Sequence, residues 1–399
     1  MKQSRSILMA LLALIALIAL SGLSCTVAYQ MERTQMPKPS GWPFMRGNVA
    51  GTGSDEVAAY TGKLDVIWER KAGKPVGPIT LNHDHLAFPD YRKRISFYDL
   101  KTGRFMGKTG TGGIPHTGLI LSDSVALVGL SPKQNRIRAI NLLKDRVMWQ
   151  RDLKDANPGP ILVDEHLVVS SRTGFLAAYD VAHGDRIWRF AIEALLTAAA
   201  SYADGKLYQP ADPGVLYVIS ADSGKELYQV PLGGPVVAPP AIDERVYVLT
   251  MTGSVYALSP DDGSVVWQTP TEGPLWTAPS VANGRLIFGN SHGRVIALDV
   301  RDGHELWRYD AGAVVRAAPL IVGEFVVVGT QKGKVITLRA EDGVEVASTT
   351  VKGAVKYGPV TDGRHVYVIT QNGRIVCFGE SNESTDRPAG EGVRASHEP

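Results

Sequence analysis

An aromatic residue that returns at a nearly fixed interval constrains this chain more than any other feature. The clearest copy of the motif it closes reads Leu298-Asp299-Val300-Arg301-Asp302-Gly303-His304-Glu305-Leu306-Trp307. Aligned on the motif's glycine, the closing position falls at Trp68, Gly107, Trp149, Trp188, Tyr228, Trp267, Trp307 and Ala347, in steps of 39 to 42 residues. Eight copies of a unit this small imply a propeller, a solenoid or an array, because no single copy can bury its own apolar face. What the unit contains decides among them.

The copy over residues 279–307 holds four short apolar or alternating runs with a turn signal between each pair. Ser280-Val281 is followed by Asn283-Gly284, a two-residue hairpin signal, and then by the near-continuous apolar run Leu286-Ile287-Phe288-Gly289. A second turn, Asn290-Ser291-His292-Gly293, leads into Val295-Ile296-Ala297-Leu298-Asp299, and Asp302-Gly303 turns the chain into Glu305-Leu306-Trp307-Arg308-Tyr309. The unit is a four-stranded antiparallel meander. Helical repeats are excluded, since after residue 30 no stretch keeps an i, i+3, i+4, i+7 apolar face free of Gly or Pro over three turns. The expectation is an all-β, eight-bladed propeller.

Glycines at the last hairpin of the unit (103, 184, 224, 263, 303 and 343) supply the positive φ that tight loops need, and Asp99, Asp180 and Asp299 precede theirs by four residues. An aspartate there accepts amide hydrogen bonds from its own turn, whereas a calcium loop would need denser oxygen ligands. The closing Trp68, Trp149, Trp188, Trp267 and Trp307 lie on the outermost strand and are expected to cover the seams between blades.

The two ends of the chain complement each other. The last unit stops after three strands, near Phe378, and the missing fourth is found at Leu64-Asp65-Val66-Ile67-Trp68-Glu69-Arg70. This N-terminal strand is expected to close the ring, removing two sheet edges open to foreign strands. The propeller then spans residues 64–379, after a signal peptide (1–24) and a linker (25–63), and before a polar, disordered tail (380–399).

Lys2 and Arg5 precede an apolar run over residues 7–20, too short to span a membrane and suited to a signal-peptide core. Ser24-Cys25 offers a lipid-attachment cysteine, and Thr26-Val27-Ala28 offers an ordinary cleavage site instead. Lipidation of Cys25 is the reading taken, because Cys25 and Cys377 are the chain's two cysteines and Cys377 falls in a buried-looking strand. No disulfide framework or Cys-based metal site can be built from them. Removing residues 1–24 leaves 40 basic and 40 acidic residues, with no basic stripe to follow a phosphate backbone. Nucleic acid is not an expected partner.

The phrase Val255-Tyr256-Ala257-Leu258-Ser259, continued by Gly263-Ser264-Val265-Val266-Trp267, resembles the PQQ-like propeller repeat of quinoprotein dehydrogenases. Eight such repeats behind a lipoprotein signal resemble the BamB family of outer-membrane assembly lipoproteins. The segment Trp42-Pro43 to Asn48 is similar to a lead-in found in many bacterial PQQ-like repeat proteins. The resemblance implies a non-catalytic, exported scaffold without a cofactor. It implies lipid anchoring to the outer membrane, facing the periplasm, with a protein partner in the barrel-assembly machinery. The alternative is a small-ligand or quinone-binding propeller. Quinoprotein dehydrogenases of this fold carry adjacent cysteines and a calcium site near the ring centre, and this chain has no adjacent cysteines. A carbohydrate binder would need rows of exposed aromatics, which the seams already claim.

Candidate contact residues come from the loops that lead into each innermost strand through a small-residue–Pro step: Gly77-Pro78, Ile114-Pro115, Ala238-Pro239, Ala278-Pro279, Ala318-Pro319 and Gly358-Pro359. Three residues before the proline lie Trp276, Arg316 and Lys356 in successive blades, with Tyr357 beside the last. Two cations and two aromatics at a channel mouth suit an anionic or extended peptide ligand. His83 and His85 lack a third metal ligand and are read as a solvated turn, and Tyr91-Arg92-Lys93-Arg94 as a decorated hairpin. No catalytic or metal-binding residue is expected.

Overall fold

A computed structural model describes residues 48, 51–55 and 59–381, except 83, 123, 131–132, 134, 154 and 156–157. The segment read as a signal peptide, Cys25, Trp42, His83 and the tail beyond residue 381 lie outside the described residues.

Eight antiparallel four-stranded sheets follow one another in chain order. The first strands of blades 1 to 7 are Thr80–Leu81, Pro115–Leu121, Pro158–Val163, Ser201–Ala203, Ala241–Ile242, Ser280–Ala282 and Leu320–Val322. They pack against one another about the axis, and blade 8, beginning at Val360–Thr361, meets blade 1. Ring closure is as the repeat pattern requires. Asp65–Lys71 pairs antiparallel with Arg374–Gly379, so the N-terminal strand supplies the outermost strand of blade 8.

Burial follows the position of each strand in its blade. In Arg285–Gly289 everything after the first residue is buried, because both faces of an interior strand meet neighbouring blades. In the outermost strand Glu305–Asp310, Trp307 alone is buried. Each outermost strand also carries a bulge that skips the residue before the closing position, such as Ile67, Ile187 or Leu306. The bulge recurs in all eight blades. A bulged edge presents an irregular ladder to other strands, and this blunts edge-to-edge aggregation.

Two sets of hydrogen bonds join neighbouring blades. Near the axis, hydroxyls reach 39 residues on, into the next blade's first strand or the residue that precedes it: Thr80 donates to the Leu119 carbonyl (3.1 Å), Ser201 to Pro240 (2.7 Å) and Ser280 to Pro319 (2.7 Å). At the rim, the seam tryptophans donate from Nε1 to carbonyls of the next blade: Trp68 to Leu100 (2.9 Å), Trp149 to Val181 (2.7 Å), Trp188 to Ala221 (2.8 Å), Trp267 to Val300 (2.9 Å) and Trp307 to Ala340 (2.9 Å). A buried indole thereby keeps its one donor satisfied. The Asx role of the turn aspartates holds as well. Asp99 accepts from the Thr102 amide (2.8 Å), Asp180 from His183 (2.7 Å) and Asp299 from Arg301 (2.8 Å).

Residues 51–55, inside the stretch read as a linker, are part of the propeller. Ser54–Asp55 pairs parallel with Leu320–Val322 as a fifth strand of blade 7. The carbonyls of Thr52, Gly53 and Asp55 accept the amides of Val281 (2.9 Å), Ile321 (3.1 Å) and Gly323 (2.8 Å). Since first strands run along the channel from the end where the inter-blade loops enter, a parallel partner runs the same way. The chain threads the axis from this mouth end to the far end, passes Tyr60, and then forms the outermost strand of blade 8. Sequence reading missed this strand because its Gly-Thr-Gly-Ser composition has no strand pattern.

Candidate functional site

The four residues proposed from the loops, Trp276, Arg316, Lys356 and Tyr357, line one pocket of about 450 Å³ at the mouth end, together with Val237 and Met251. They come together because each loop is pinned by a buried residue directly before the exposed one. Val315 and Val355 are buried, and their side chains fill the space over Gly289 and Gly329, where a Cβ would fall 2.3 and 2.2 Å from a valine Cγ1. The Val355 amide donates to the Thr330 carbonyl at 3.0 Å, which fixes the loop. Thr277, directly after Trp276, is buried and donates to the Gly289 carbonyl at 2.9 Å. Alternation along the loop then turns Trp276, Arg316 and Lys356 into the mouth.

The mouth is both cationic and aromatic. The Arg316 guanidinium lies 4.0 Å from the centre of the Trp276 ring. This cation–π contact positions the cation without using its N–H donors. Arg316 and Lys356 are exposed, and neither forms an ion pair among the described residues. Trp276 Nε1 is buried and has no hydrogen-bond acceptor, unlike the indole nitrogens of the five seam tryptophans. Burial pushes the Tyr357 hydroxyl up to about 12, with Tyr91 adding to the shift, so it stays a neutral donor.

Other candidate positions are accounted for by local structure. His85 is half-buried at the start of His85–Asp90. The basic hairpin after it is tied down: Arg94 Nε donates to the buried Asp90 carboxylate at 2.8 Å, and the Arg92 amide to the same group at 2.9 Å. Asp299, Asp302 and His304 bring ligand-type atoms within 4.8 Å of one another, but Asp299 already holds the Arg301 guanidinium (2.6 Å) and Asp302 the His304 ring (2.6 Å). Cys377 is buried, and burial drives its thiol up to about 12, which suits a packing residue and not a nucleophile.

Beside the threaded segment, the axial space narrows to a void of about 50 Å³. Asn48 and Gly51 close it on one side, and Leu119, Ile161, Ala200 and Pro239 are among the residues on the other. Its lining includes no charged side chain.

The sequence profile of the family described as outer membrane protein assembly factor BamB matches residues 133–199, 172–246 and 240–391. A comparison with curated protein sequences finds no match. Among solved structures, BamB from Moraxella catarrhalis superposes with a TM-score of 0.69 at 15% identity, covering 79% of this chain and 100% of that one. The computationally designed protein Ika8 gives 0.68 at 15%, covering 80% and 99%. A quinohemoprotein alcohol dehydrogenase from Pseudomonas putida gives 0.71 at 13%, covering 90% and 82%. At these identities the superpositions establish a shared fold.

Proposed function

Because the chain belongs to the family described as outer membrane protein assembly factor BamB, we propose that it is an exported envelope protein whose ring serves as a non-catalytic interaction scaffold in outer-membrane barrel assembly. Family membership over most of the ring is the observation that carries this reading. The proposal places lipid attachment at Cys25, behind the apolar run over residues 7–20, and sets the propeller on the periplasmic side.

The axis supports a scaffold over a quinone enzyme. Calcium and quinone chemistry at the ring centre needs acidic and amide ligands converging there. The axial void offers one amide side chain, Asn48, and no carboxylate, and the chain's own residues 51–55 lie along the channel beside it. The residues lining this void do not fit a calcium-bound quinone.

Affinity purification of the full chain from membranes tests the proposal. Recovery of barrel-assembly components is the expected result. Their absence, with a quinone absorbance in the purified protein, would overturn it.

A further inference from the structure

We infer that the mouth formed by Trp276, Arg316, Lys356 and Tyr357 binds the free carboxylate of an extended peptide ending in an apolar residue. This goes beyond the assembly reading and holds whether or not the protein has an assembly partner.

Three observations point to a carboxylate. Arg316 and Lys356 come from adjacent blades to one pocket, and neither has an acidic partner among the described residues. The stacking of Arg316 on Trp276 leaves the planar fork free for a two-pronged acceptor, which a carboxylate matches and a lone carbonyl does not. Trp276 Nε1, on a residue that lines the same pocket, is a buried donor without an acceptor, so polar demand at this wall is unmet.

The remaining wall decides what bears the carboxylate. Val237, Met251 and the Tyr357 ring make an apolar side beside the cations. An unbranched methionine adapts its shape to side chains of different outline. A space of about 450 Å³ exceeds what a single acid group fills, and its opening to solvent lets the rest of a chain lead out.

The test is fluorescence anisotropy on the full-length protein with a labelled hexapeptide ending in leucine, prepared as the free acid and as the C-terminal amide. The free acid is expected to bind roughly tenfold or more tightly than the amide, the discrimination expected of one charge-assisted contact. Arg316→Gln and Lys356→Gln should each remove most of that difference. Trp276→Ala, which removes the ring that positions Arg316, should weaken acid binding severalfold. Equal binding of acid and amide, or no binding of either, overturns the proposal. So does full displacement by the small apolar acid 4-methylpentanoate at the concentration at which unlabelled peptide competes, since the site would then take small acids and not chain ends. The acid–amide comparison needs no variant, so a misfolded mutant cannot imitate either result.

Discussion

Gly343 lies against the Trp307 ring of the preceding blade: a Cβ built on the glycine falls 2.6 Å from Cε3 of the indole, whose nitrogen bonds the Ala340 carbonyl at 2.9 Å. The same fit recurs at Gly103 with Trp68, Gly184 with Trp149, Gly224 with Trp188 and Gly303 with Trp267. The periodic tryptophan and the periodic glycine are therefore two halves of one joint. Trp307→Ala should cost roughly 3–5 kcal/mol in urea unfolding. Gly343→Ala should also be destabilising, through its φ of 72° and its contact with the ring. Because both act on one joint, the double variant should fall short of the sum by about 1–3 kcal/mol. Full additivity would show that the joint is not a unit.

The exceptions to the pattern obey the same rule. Tyr228 replaces tryptophan and sends its hydroxyl to the Pro260 carbonyl at 2.6 Å, the place other seams fill with an indole N–H. Where Gly107 stands at the closing position, the next turn has Asp145 with φ 45° in place of glycine. Gly107→Trp alone should therefore lower the melting temperature. Adding Asp145→Gly should recover part of the loss, the remainder being the strain of a side chain at the Gly107 φ of 154°, and a thermal melt of the two variants checks this.

Acid should weaken blade 8 through Asp362. Burial alone would raise its carboxyl. Hydrogen bonds from the His365 ring and amide, the Tyr367 hydroxyl (2.7 Å) and the Arg364 amide outweigh that and hold it at about 2. A pKa depressed on folding gives stability that is present above the ordinary value near 3.8 and is lost as pH falls toward 2. With the side chain 26% exposed, the contribution is about 1–2 kcal/mol. Asp362→Asn should lower stability at pH 7 and flatten its decline between pH 4 and pH 2, followed by urea titration at each pH. An unchanged acid slope would remove Asp362 from this role.

The threaded segment predicts a local exchange signature. Gly53 has φ 62°, and its carbonyl holds the Ile321 amide. Gly53→Val strains that conformation and should speed hydrogen exchange at Val281, Ile321 and Gly323 while leaving the interior strand Arg285–Gly289 protected. Uniform loss of protection would mean that the segment holds the whole ring together.

Blade number, strand order and ring closure were legible in the sequence because they depend on period and alternation, which one chain displays directly. Pairing of Trp68 with Cys377 in the closing blade follows from that register. The mouth was legible in part. The offset from each proline located Trp276, Arg316 and Lys356, but not Met251, which arrives from a hairpin turn of another blade. Residues 51–55 were not legible at all, since their strand rests on backbone bonds to blades 6 and 7 and uses no patterned side chain.

Threading also sets an order of events. A chain made from its N terminus presents residues 51–55 and 65–71 first, yet the surfaces they occupy, on blades 6 to 8, are made last. The earliest part of the domain to be synthesised is thus the latest to dock, and it stays without its partners while the rest of the chain arrives. During that interval the N-terminal strand Asp65–Lys71 has no partner, and its edge stands open. This waiting period, set by chain direction, is when the domain is most exposed to pairing with a foreign strand.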